Sequence, residues 1–240
     1  MAFLFDPKLK EPFKLSRSKI DLFMKCPHCF YLDRKLGIGI PSGPGFSLNS
    51  AVDALLKKEF DIYRAKNQKH PLMEKYGINA VPLAHVEMEN WRNNFRGIQY
   101  LHKPTNLLIF GAIDDIWQMS DGSIAIVDYK STSTSKEITL DDEWKESYKR
   151  QMEIYQWLFE KNGFKIAPQG YFVYCNGLKD RDALDGKLDF DLSIISYTGD
   201  NSWVEKAIFD IFKTLKSLVA PSASPTCEYC DYVSKAKKLK

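Results

Sequence analysis

The sequence GAID at Gly111–Asp114 and the sequence VDYK at Val127–Lys130 decide how this chain can be interpreted. Between them stands SDGS at Ser120–Ser123. Runs rich in Ile, Val and Trp flank this Asp-Gly turn signal, so the stretch predicts a β-hairpin. Asp128 and Lys130 are two residues apart, so on a strand both side chains point to the same side of the sheet. Because two acids and a lysine on one sheet face are costly to build for packing alone, these residues are candidates for a functional site.

The register of the hairpin decides whether the two acids can act together, because directly opposite residues of an antiparallel pair share a face. A two-residue turn at Asp121–Gly122 places Asp114 opposite Tyr129. A three-residue loop at Ser120–Gly122, or a one-residue bulge, places Asp114 opposite Asp128 instead. With the second register, the carboxylates and the lysine suit chemistry that holds a divalent metal and a phosphodiester. The alternative is that these Asp side chains simply lie on the solvent-exposed face of a hairpin.

A helix is predicted after the hairpin, because the acidic run Asp141–Glu143 favours a helix start. Gln151 and Tyr155 are four residues apart and therefore neighbours on one helix face, where they are predicted to reach toward the carboxylates. The alternative for Gln151 is a hydrogen bond to a nearby backbone group. Aromatic residues and a methionine recur at spacings of three and four and predict one buried stripe: Trp144, Tyr148, Met152, Tyr155 and Phe159.

The order G-x-I-D, D-x-K and Q-x-x-x-Y resembles the PD-(D/E)XK nuclease superfamily. Within it, the chain is most similar to the RecB-type branch, which includes the RecB-like exonucleases associated with CRISPR systems. The segment Leu15–Leu32 resembles the opening segment of that branch, and Cys227–Cys230 resembles part of its C-terminal cysteine set. The resemblance therefore spans most of the chain, from Leu15 to Cys230.

The resemblance implies a role for each residue of the hairpin and of the helix that follows it. Asp114 and Asp128 are expected to be metal ligands, and hard oxygen ligands suit Mg²⁺ or Mn²⁺. Lys130 is expected to orient the attacking water or to stabilise the charge on the phosphorane. Gln151 and Tyr155 are expected to position DNA or the catalytic lysine.

One position departs from the RecB-type pattern. That branch usually has a histidine four residues after a glycine on the preceding helix. Here the residue four positions after Gly45 is Asn49. Asn49 is a candidate ligand through its carbonyl oxygen, although a weaker one without charge. Asp53 lies one turn further along and can substitute. A catalytically impaired DNA-binding module of the same fold is therefore one alternative to a nuclease, and a nuclease directed at RNA is another.

Four of the five cysteines form two C-x-x-C pairs, Cys26/Cys29 and Cys227/Cys230, and predict a metal site that joins the two ends of the chain. Disulfides are not expected, because no secretory signal peptide precedes the chain and its composition is typical of cytoplasmic proteins. Cys175 stands in an apolar run and is predicted to be a small core residue.

The metal at the four cysteines has two alternatives. The two C-x-x-C pairs, with the segment Cys26–Cys29, are typical of a structural zinc site. The branch that the chain resembles often holds a [4Fe-4S] cluster through one N-terminal and three C-terminal cysteines. In that pattern the last cysteine falls near Ala236, where this chain has none, and Cys29 supplies the fourth thiolate instead. Zinc and iron–sulfur both remain open on the sequence.

The fold class expected from the order of the elements is α/β, with a central mixed β-sheet flanked by helices and a restriction-endonuclease-like core. Periodicity predicts helices over residues 16–26, 50–66, 84–95 and 203–218, and strands over residues 171–175 and 188–197. The 240 residues fit a single PD-(D/E)XK nuclease domain, residues 1–240, in which residues 15–40 and 221–232 form the cysteine elements and residues 233–240 form a basic tail.

Composition and charge limit the possible partners. The net charge is only +3, so overall basicity does not by itself indicate nucleic acid, and DNA is expected as a partner from the resemblance. No apolar run is long enough to cross a membrane, so no membrane association is expected. The expected location is cytoplasmic, with a helicase or another DNA-processing protein as a candidate partner in DNA repair, recombination or defence.

Overall fold

The structure is a computed structural model that describes residues 4–8, 10–41, 43, 45 and 47–238. The described helices are α1 (Arg17–Lys25), α2 (Pro27–Lys35), α3 (Ser47–Lys66), α4 (Pro71–Lys75), α5 (Met88–Arg92), α6 (Glu146–Lys161), α7 (Trp203–Lys216) and α8 (Glu228–Lys237). The described strands are β1 (Phe13–Ser16), β2 (Ala80–Pro82), β3 (Ile98–His102), β4 (Leu107–Gly111), β5 (Asp115–Met119), β6 (Ile124–Thr132), β7 (Gln169–Gly177) and β8 (Phe190–Thr198).

One compact unit contains Gly45–Ile98 and Ala112–Asn201 and is built on a five-stranded sheet. The strand order is β2-β5-β6-β7-β8, in which β6 and β7 run parallel and the other neighbours run antiparallel. Helices α3 and α6 both contact β6. The predicted central mixed sheet flanked by helices is therefore confirmed.

The alternation of side chains along β6 separates a core face from a second face. Val127 and Tyr129 lie in the same hydrophobic cluster as Phe60 of α3, together with Trp117 of β5. The intervening positions of the sheet face α6. There Met152 of α6 fills the space beside Gly170, so a side chain at that glycine would force Met152 to move. Since side chains alternate, Asp128 and Lys130 of β6 belong to the face that α6 covers.

The hairpin has the register that the functional interpretation requires. Asp115 pairs with Val127, so the loop contains the three residues Ser120–Gly122, and extending the register by one residue sets Asp114 opposite Asp128. Gly122 has a φ of +79°, a conformation that glycine adopts without strain, and this allows the three-residue loop to close.

The first strand of this hairpin is shorter than the sequence suggests. It begins at Asp115, and Gly111 is instead the last residue of β4, which belongs to a different sheet. The backbone of Ala112–Asp114 leaves the ladder and is held by other groups. Ile113 N donates to the Trp91 carbonyl at 3.1 Å, and the Tyr155 hydroxyl donates to the Ala112 carbonyl.

The other compact unit contains Met1–Pro44, Gln99–Gly111 and Ser202–Lys240. Here α1, α2 and α7 pack against one another, and a three-stranded sheet has the order β1-β4-β3 with β1 parallel to β4. No local sequence pattern predicts this sheet, because the partners Phe13 and Leu107 are far apart in the chain and each strand is very short.

Most of the predicted helices and strands are confirmed with shifted ends. Helices α1, α3 and α7 and strands β7 and β8 match the predicted segments, whereas the helix predicted over 84–95 is only the short α5. Most of the predicted basic tail, residues 233–240, lies in helix α8, and its last two residues lie outside the described residues. No helix within the described residues is both long enough and apolar enough to cross a bilayer.

The aromatic stripe predicted on α6 is correct only in part. Met152, Tyr155 and Phe159 are buried, but Trp144 is 62% exposed. The reason is that α6 begins at Glu146, after a short 3-10 turn at Glu143–Lys145, so Trp144 does not continue the helical spacing.

Candidate functional site

Asp128 and Lys130 form a buried ion pair on β6. Asp128 is 1% exposed, and the Lys130 ammonium contacts its Oδ2 atom. Burial lowers the pKa of Lys130, but the negative charges of Asp128 and Asp114 outweigh burial and raise this pKa above its ordinary value. The lysine is therefore a fixed positive charge at neutral pH, with its ammonium held against one carboxylate.

Gln151 and Tyr155 connect α6 to the residues that carry the acids. Gln151 Nε2 donates to Asp128 Oδ1 at 2.6 Å, so the amide reaches a carboxylate rather than the lysine. The Tyr155 hydroxyl is buried and donates to the Ala112 carbonyl, two residues before Asp114. The two side chains therefore fix one acid directly and the backbone next to the other.

Asp114 is held by a backbone amide and by a lysine that the sequence analysis does not identify. Its Oδ2 accepts from Tyr129 N at 2.9 Å, and its Oδ1 accepts from Lys57 Nζ at 3.1 Å. Lys57 Nζ also donates to Asp53 Oδ2 at 2.8 Å. Burial and the nearby charge of Asp114 raise the pKa of Asp53. Lys57 therefore bridges two carboxylates, and one of them is the acid proposed as a substitute ligand.

A buried charge network lies directly behind Asp114. The Asp115 carboxylate is 0% exposed and contacts guanidinium groups of both Arg64 and Arg92. It also accepts from the Tyr129 hydroxyl at 2.7 Å. Arg92 Nε donates to the Asp114 carbonyl at 2.9 Å, so the network fixes the backbone that presents the Asp114 side chain.

Part of this network had a signal in the sequence. Asp115 precedes the apolar pair Ile116–Trp117 at the start of a buried strand, and a buried carboxylate requires a cationic partner. The sequence does not say which cation, because Arg64 and Arg92 are distant along the chain. The only sequence signal for Lys57 is its spacing of four residues from Asp53, which places the two side chains on one helix face.

Asn49 lies in the first turn of α3 and is exposed. It stands four residues before Asp53, so both side chains lie on the same face of the helix. Asn49 therefore lies on the face from which α3 reaches the hairpin, and its role as a ligand stays a prediction.

The chemistry of these side chains fits a hard divalent cation. Asp114 and Asp128 supply carboxylate oxygens, and Asp53 offers another beside Asp114. Such oxygens suit Mg²⁺ or Mn²⁺. Both acids are in contact with lysine ammonium groups, so the site already balances concentrated negative charge with positive charge. This arrangement can neutralise an anionic substrate once a metal adds further positive charge.

A separate cluster of four cysteines lies in the unit that contains both chain ends. The thiols of Cys26, Cys29, Cys227 and Cys230 all lie within 4.8 Å of one another. The Sγ–Sγ distance is 3.5 Å from Cys29 to both Cys227 and Cys230, and 3.8 Å from Cys26 to Cys230. The predicted convergence of the two C-x-x-C pairs is therefore confirmed. Cys175 is buried in the core of the other unit, as predicted.

The thiols in the cluster ionise unequally. Burial raises the pKa of Cys26, but hydrogen bonds from the backbone N–H groups of Cys29 and Ser224 outweigh burial and lower it to about 6. Burial, followed by the thiol of Cys230, raises the pKa of Cys29 far above its ordinary value, and burial raises that of Cys230 to about 11. Four thiols this close cannot all ionise without a cation, so the donor set is suited to a thiophilic metal.

Other contacts fix α2, which carries Cys29, relative to the C-terminal part of the same unit. His28 Nδ1 bonds to the Pro221 carbonyl at 2.8 Å. Lys35 Nζ donates to the Leu215 carbonyl at 2.8 Å, and the Tyr31 hydroxyl donates to the Ser217 carbonyl at 3.3 Å. The cysteine pairs are thus held close to each other by polar contacts as well as by any metal they bind.

The chain matches a known protein family over most of its length. The family model described as the PD-(D/E)XK nuclease superfamily matches residues 14–234. The chain belongs to the PD-(D/E)XK nuclease superfamily. Proteins of this superfamily are generally nucleases that use divalent metals, and membership suggests DNA as the substrate. The match covers the acidic hairpin, the helix α6 and both cysteine pairs.

A solved structure described as the crystal structure of SSO0001 is similar to this chain with a TM-score of 0.44 and 16% identity, covering 94% of this chain and 86% of that one. No curated protein matches the chain significantly.

Proposed function

We propose that this protein is a metal-dependent DNA nuclease of the RecB type that acts as an exonuclease on single-stranded or end-containing DNA. The observation that carries the proposal is the position of the Asp128 carboxylate. One of its oxygens contacts Lys130 and the other accepts a hydrogen bond from Gln151, and Asp114 lies opposite Asp128 in the hairpin register. A superfamily nuclease needs these groups on one sheet face, and the geometry supports this use of them.

The proposed mechanism assigns one task to each side chain. Asp114 and Asp128 would hold a divalent metal, which would supply positive charge for the phosphodiester and lower the pKa of a bound water. Lys130 orients the attacking water or stabilises negative charge on the phosphorane. Gln151 keeps the Asp128 carboxylate in one orientation, and Tyr155 fixes the backbone before Asp114. These contacts preorganise the acids before the substrate arrives.

The test is incubation of the purified protein with end-labelled single-stranded and double-stranded DNA, with and without Mn²⁺. The proposal expects metal-dependent cleavage that is abolished by a chelator and proceeds from the ends of the strand. Release of internal fragments from circular single strands would contradict the exonuclease assignment. No cleavage of either DNA, combined with cleavage of RNA, would favour the RNA-directed nuclease.

A catalytically impaired DNA-binding module is the second candidate function. Two observations favour it: Asn49 stands where a histidine is expected, and Lys57 bridges Asp53 and Asp114. If Asn49 is a weak ligand, Asn49→His should lower the Mn²⁺ concentration needed for cleavage. Lys57→Met should do the same if the lysine competes with the metal. Binding of DNA without any cleavage by the wild type or by either variant would establish the second candidate.

We propose that the four cysteines hold Zn²⁺ rather than a [4Fe-4S] cluster. Four thiolates at about 2.3 Å from one zinc ion form a tetrahedron with edges of about 3.8 Å. Three of the Sγ–Sγ distances, at 3.5, 3.5 and 3.8 Å, are close to that edge, and all four sulfur atoms lie within 4.8 Å of one another. In a four-iron cluster each thiolate binds a different iron atom, which sets the sulfur atoms further apart.

Colour and metal analysis distinguish a zinc site from a [4Fe-4S] cluster. A zinc protein purified without added metal is colourless and contains about one zinc per chain, which it releases after thiol modification. A brown protein with visible absorption and four irons per chain would contradict the zinc proposal.

The remaining proposals concern the context of the activity. We propose that residues 1–240 work as one nuclease domain in the cytoplasm. DNA repair, recombination or defence is the proposed process, with a helicase or another DNA-processing protein as partner. Co-purification of a helicase with the tagged chain tests the partner. The association should survive nuclease treatment, because loss of the helicase would mean that DNA alone bridges the two proteins.

A further inference from the structure

An exposed tryptophan stands beside the candidate active site. Trp144 is 62% exposed, and its ring makes a T-shaped contact with the Tyr148 ring at a centroid distance of 5.4 Å and an angle of 82°. The Tyr148 ring in turn carries the Lys130 ammonium 4.3 Å from its centroid. An aromatic surface therefore leads from solvent to the lysine that contacts Asp128.

A buried lysine holds the Trp144 ring in position. The Lys145 ammonium lies 5.0 Å from the Trp144 ring centroid and is itself held by the Thr139 carbonyl at 2.6 Å and by Asp142 at 2.7 Å. Lys145 is buried, so this cation is fixed rather than mobile. A cation against an aromatic ring holds that ring in place, and most of the Trp144 side chain remains exposed to another partner.

A buried hydroxyl near the same lysine has no partner in the described part of the chain. Tyr174 of β7 is 2% exposed, stands next to Lys130 in the parallel register, and its Oη atom has no hydrogen-bond partner among the described residues. Burial and then the neighbouring Tyr148 hydroxyl raise its pKa, so it stays protonated. A buried hydroxyl of this kind is a site where a polar ligand or a bound water would be accommodated.

We propose that Trp144, with Tyr148 beside it, is a stacking platform for an unpaired nucleobase of DNA, next to the phosphodiester at Lys130. This inference rests on the proposed nuclease function and adds the substrate feature that the site selects. Aromatic side chains bind single strands by stacking on bases of any sequence. A base inside a duplex is already stacked and paired, so the platform favours single-stranded DNA or a frayed end over a blunt duplex.

The first test measures binding without cleavage. Fluorescence anisotropy of 5′-labelled oligo(dT) is recorded without divalent metal for the wild type, Trp144→Ala, Trp144→Phe and the control Phe95→Ala, which removes another exposed aromatic residue of the same unit. The expected result is that Trp144→Ala weakens binding by about tenfold to a hundredfold, that Trp144→Phe largely restores it, and that Phe95→Ala has no effect.

The second test asks whether Trp144 contacts a base rather than the backbone. Abasic sites are placed one at a time along the oligonucleotide. If the base stacks on Trp144, one abasic position weakens wild-type binding, and the same abasic oligonucleotide binds Trp144→Ala no more weakly than intact DNA does. If the losses of affinity caused by Trp144→Ala and by an abasic site add up at every position, the platform is overturned. Wild-type affinity of Trp144→Ala for oligo(dT) would also overturn it.

The two proposals fail in different ways. A wild-type protein that binds oligo(dT) through Trp144 but cleaves no DNA contradicts the nuclease and keeps the platform. A protein that cleaves DNA with Mn²⁺ equally well with and without Trp144 keeps the nuclease and contradicts the platform.

Discussion

Gln151 donates a hydrogen bond from Nε2 to Oδ1 of Asp128 at 2.6 Å, while the other oxygen of the same carboxylate contacts Lys130. One buried acid is thus held by a helix and by its own strand at once. Rigid presentation of this kind is what a metal ligand requires, because partners behind a ligand fix its orientation.

Replacing Gln151 by leucine should therefore weaken metal use without unfolding the protein. We expect the Mn²⁺ affinity or the cleavage rate to fall by about tenfold to a hundredfold. The matched control is Gln156→Leu, the same change on the same helix at a buried amide that donates to the Pro168 carbonyl. Equal losses of cleavage in both variants, measured in a metal titration, would argue that Gln151 acts only through helix stability.

Asp115 should be essential for the fold rather than for chemistry. Asp115→Asn leaves the charges of Arg64 and Arg92 buried without their carboxylate, so the free energy of unfolding is expected to drop by about 3 kcal/mol or more. Urea denaturation measures the change. Lys206→Ala, which breaks an exposed pair with Asp210, should alter stability by less than about 1 kcal/mol. Similar small effects for both variants would contradict the buried network.

Asp61 should make stability depend on pH in the acid range. Burial raises the pKa of Asp61, but hydrogen bonds and charge from Arg92 and Arg64 outweigh burial and lower it. A carboxyl whose pKa is lower in the folded state stabilises the fold above its unfolded pKa of about 3.9, and this stabilisation is lost as the pH falls toward the folded value. Asp61→Asn should therefore be less stable than the wild type at pH 7, with the difference shrinking by pH 3. A difference in urea midpoint that stays constant between these values would contradict this linkage.

The cysteine site predicts opposite results for two single substitutions. Cys227→Ser removes one of four clustered thiols, so the protein should lose the proposed zinc ion and unfold at a lower urea concentration. Cys175→Ser changes a buried thiol outside the cluster and should keep the zinc. Metal analysis after gel filtration measures both. Full zinc content in Cys227→Ser, or four freely reactive thiols in the native wild type, would rule the site out.

The sequence could predict the acids of the site but not what holds them. Asp114, Asp128 and Lys130 stand at fixed offsets within one hairpin, so local periodicity places them together once the loop length is known. The Asp-Gly pair is compatible with both a two-residue and a three-residue loop, and only the structure fixes the latter. Lys57 comes from a helix far along the chain, and such pairing leaves no local pattern.

The same limit explains the elements that the sequence analysis misses. Strands β1, β3 and β4 have four or five residues each, too short for a reliable alternation, and their pairing brings distant segments together. Helix α8 carries lysines that, without a buried face, are indistinguishable from a solvated tail, and none of its residues is buried. The four cysteines could be predicted because the C-x-x-C spacing is itself the signal of a site.

The most direct test of the account is the rate of Mn²⁺-dependent cleavage of end-labelled single-stranded DNA by the wild type, Asp128→Ala and Lys130→Ala, each shown to be folded by circular dichroism. Asp128 and Lys130 are in direct contact, so the loss of either removes charge from the same centre. The account predicts metal-dependent cleavage by the wild type and a loss of about a hundredfold or more in each variant. Cleavage by both variants at the wild-type rate would contradict it.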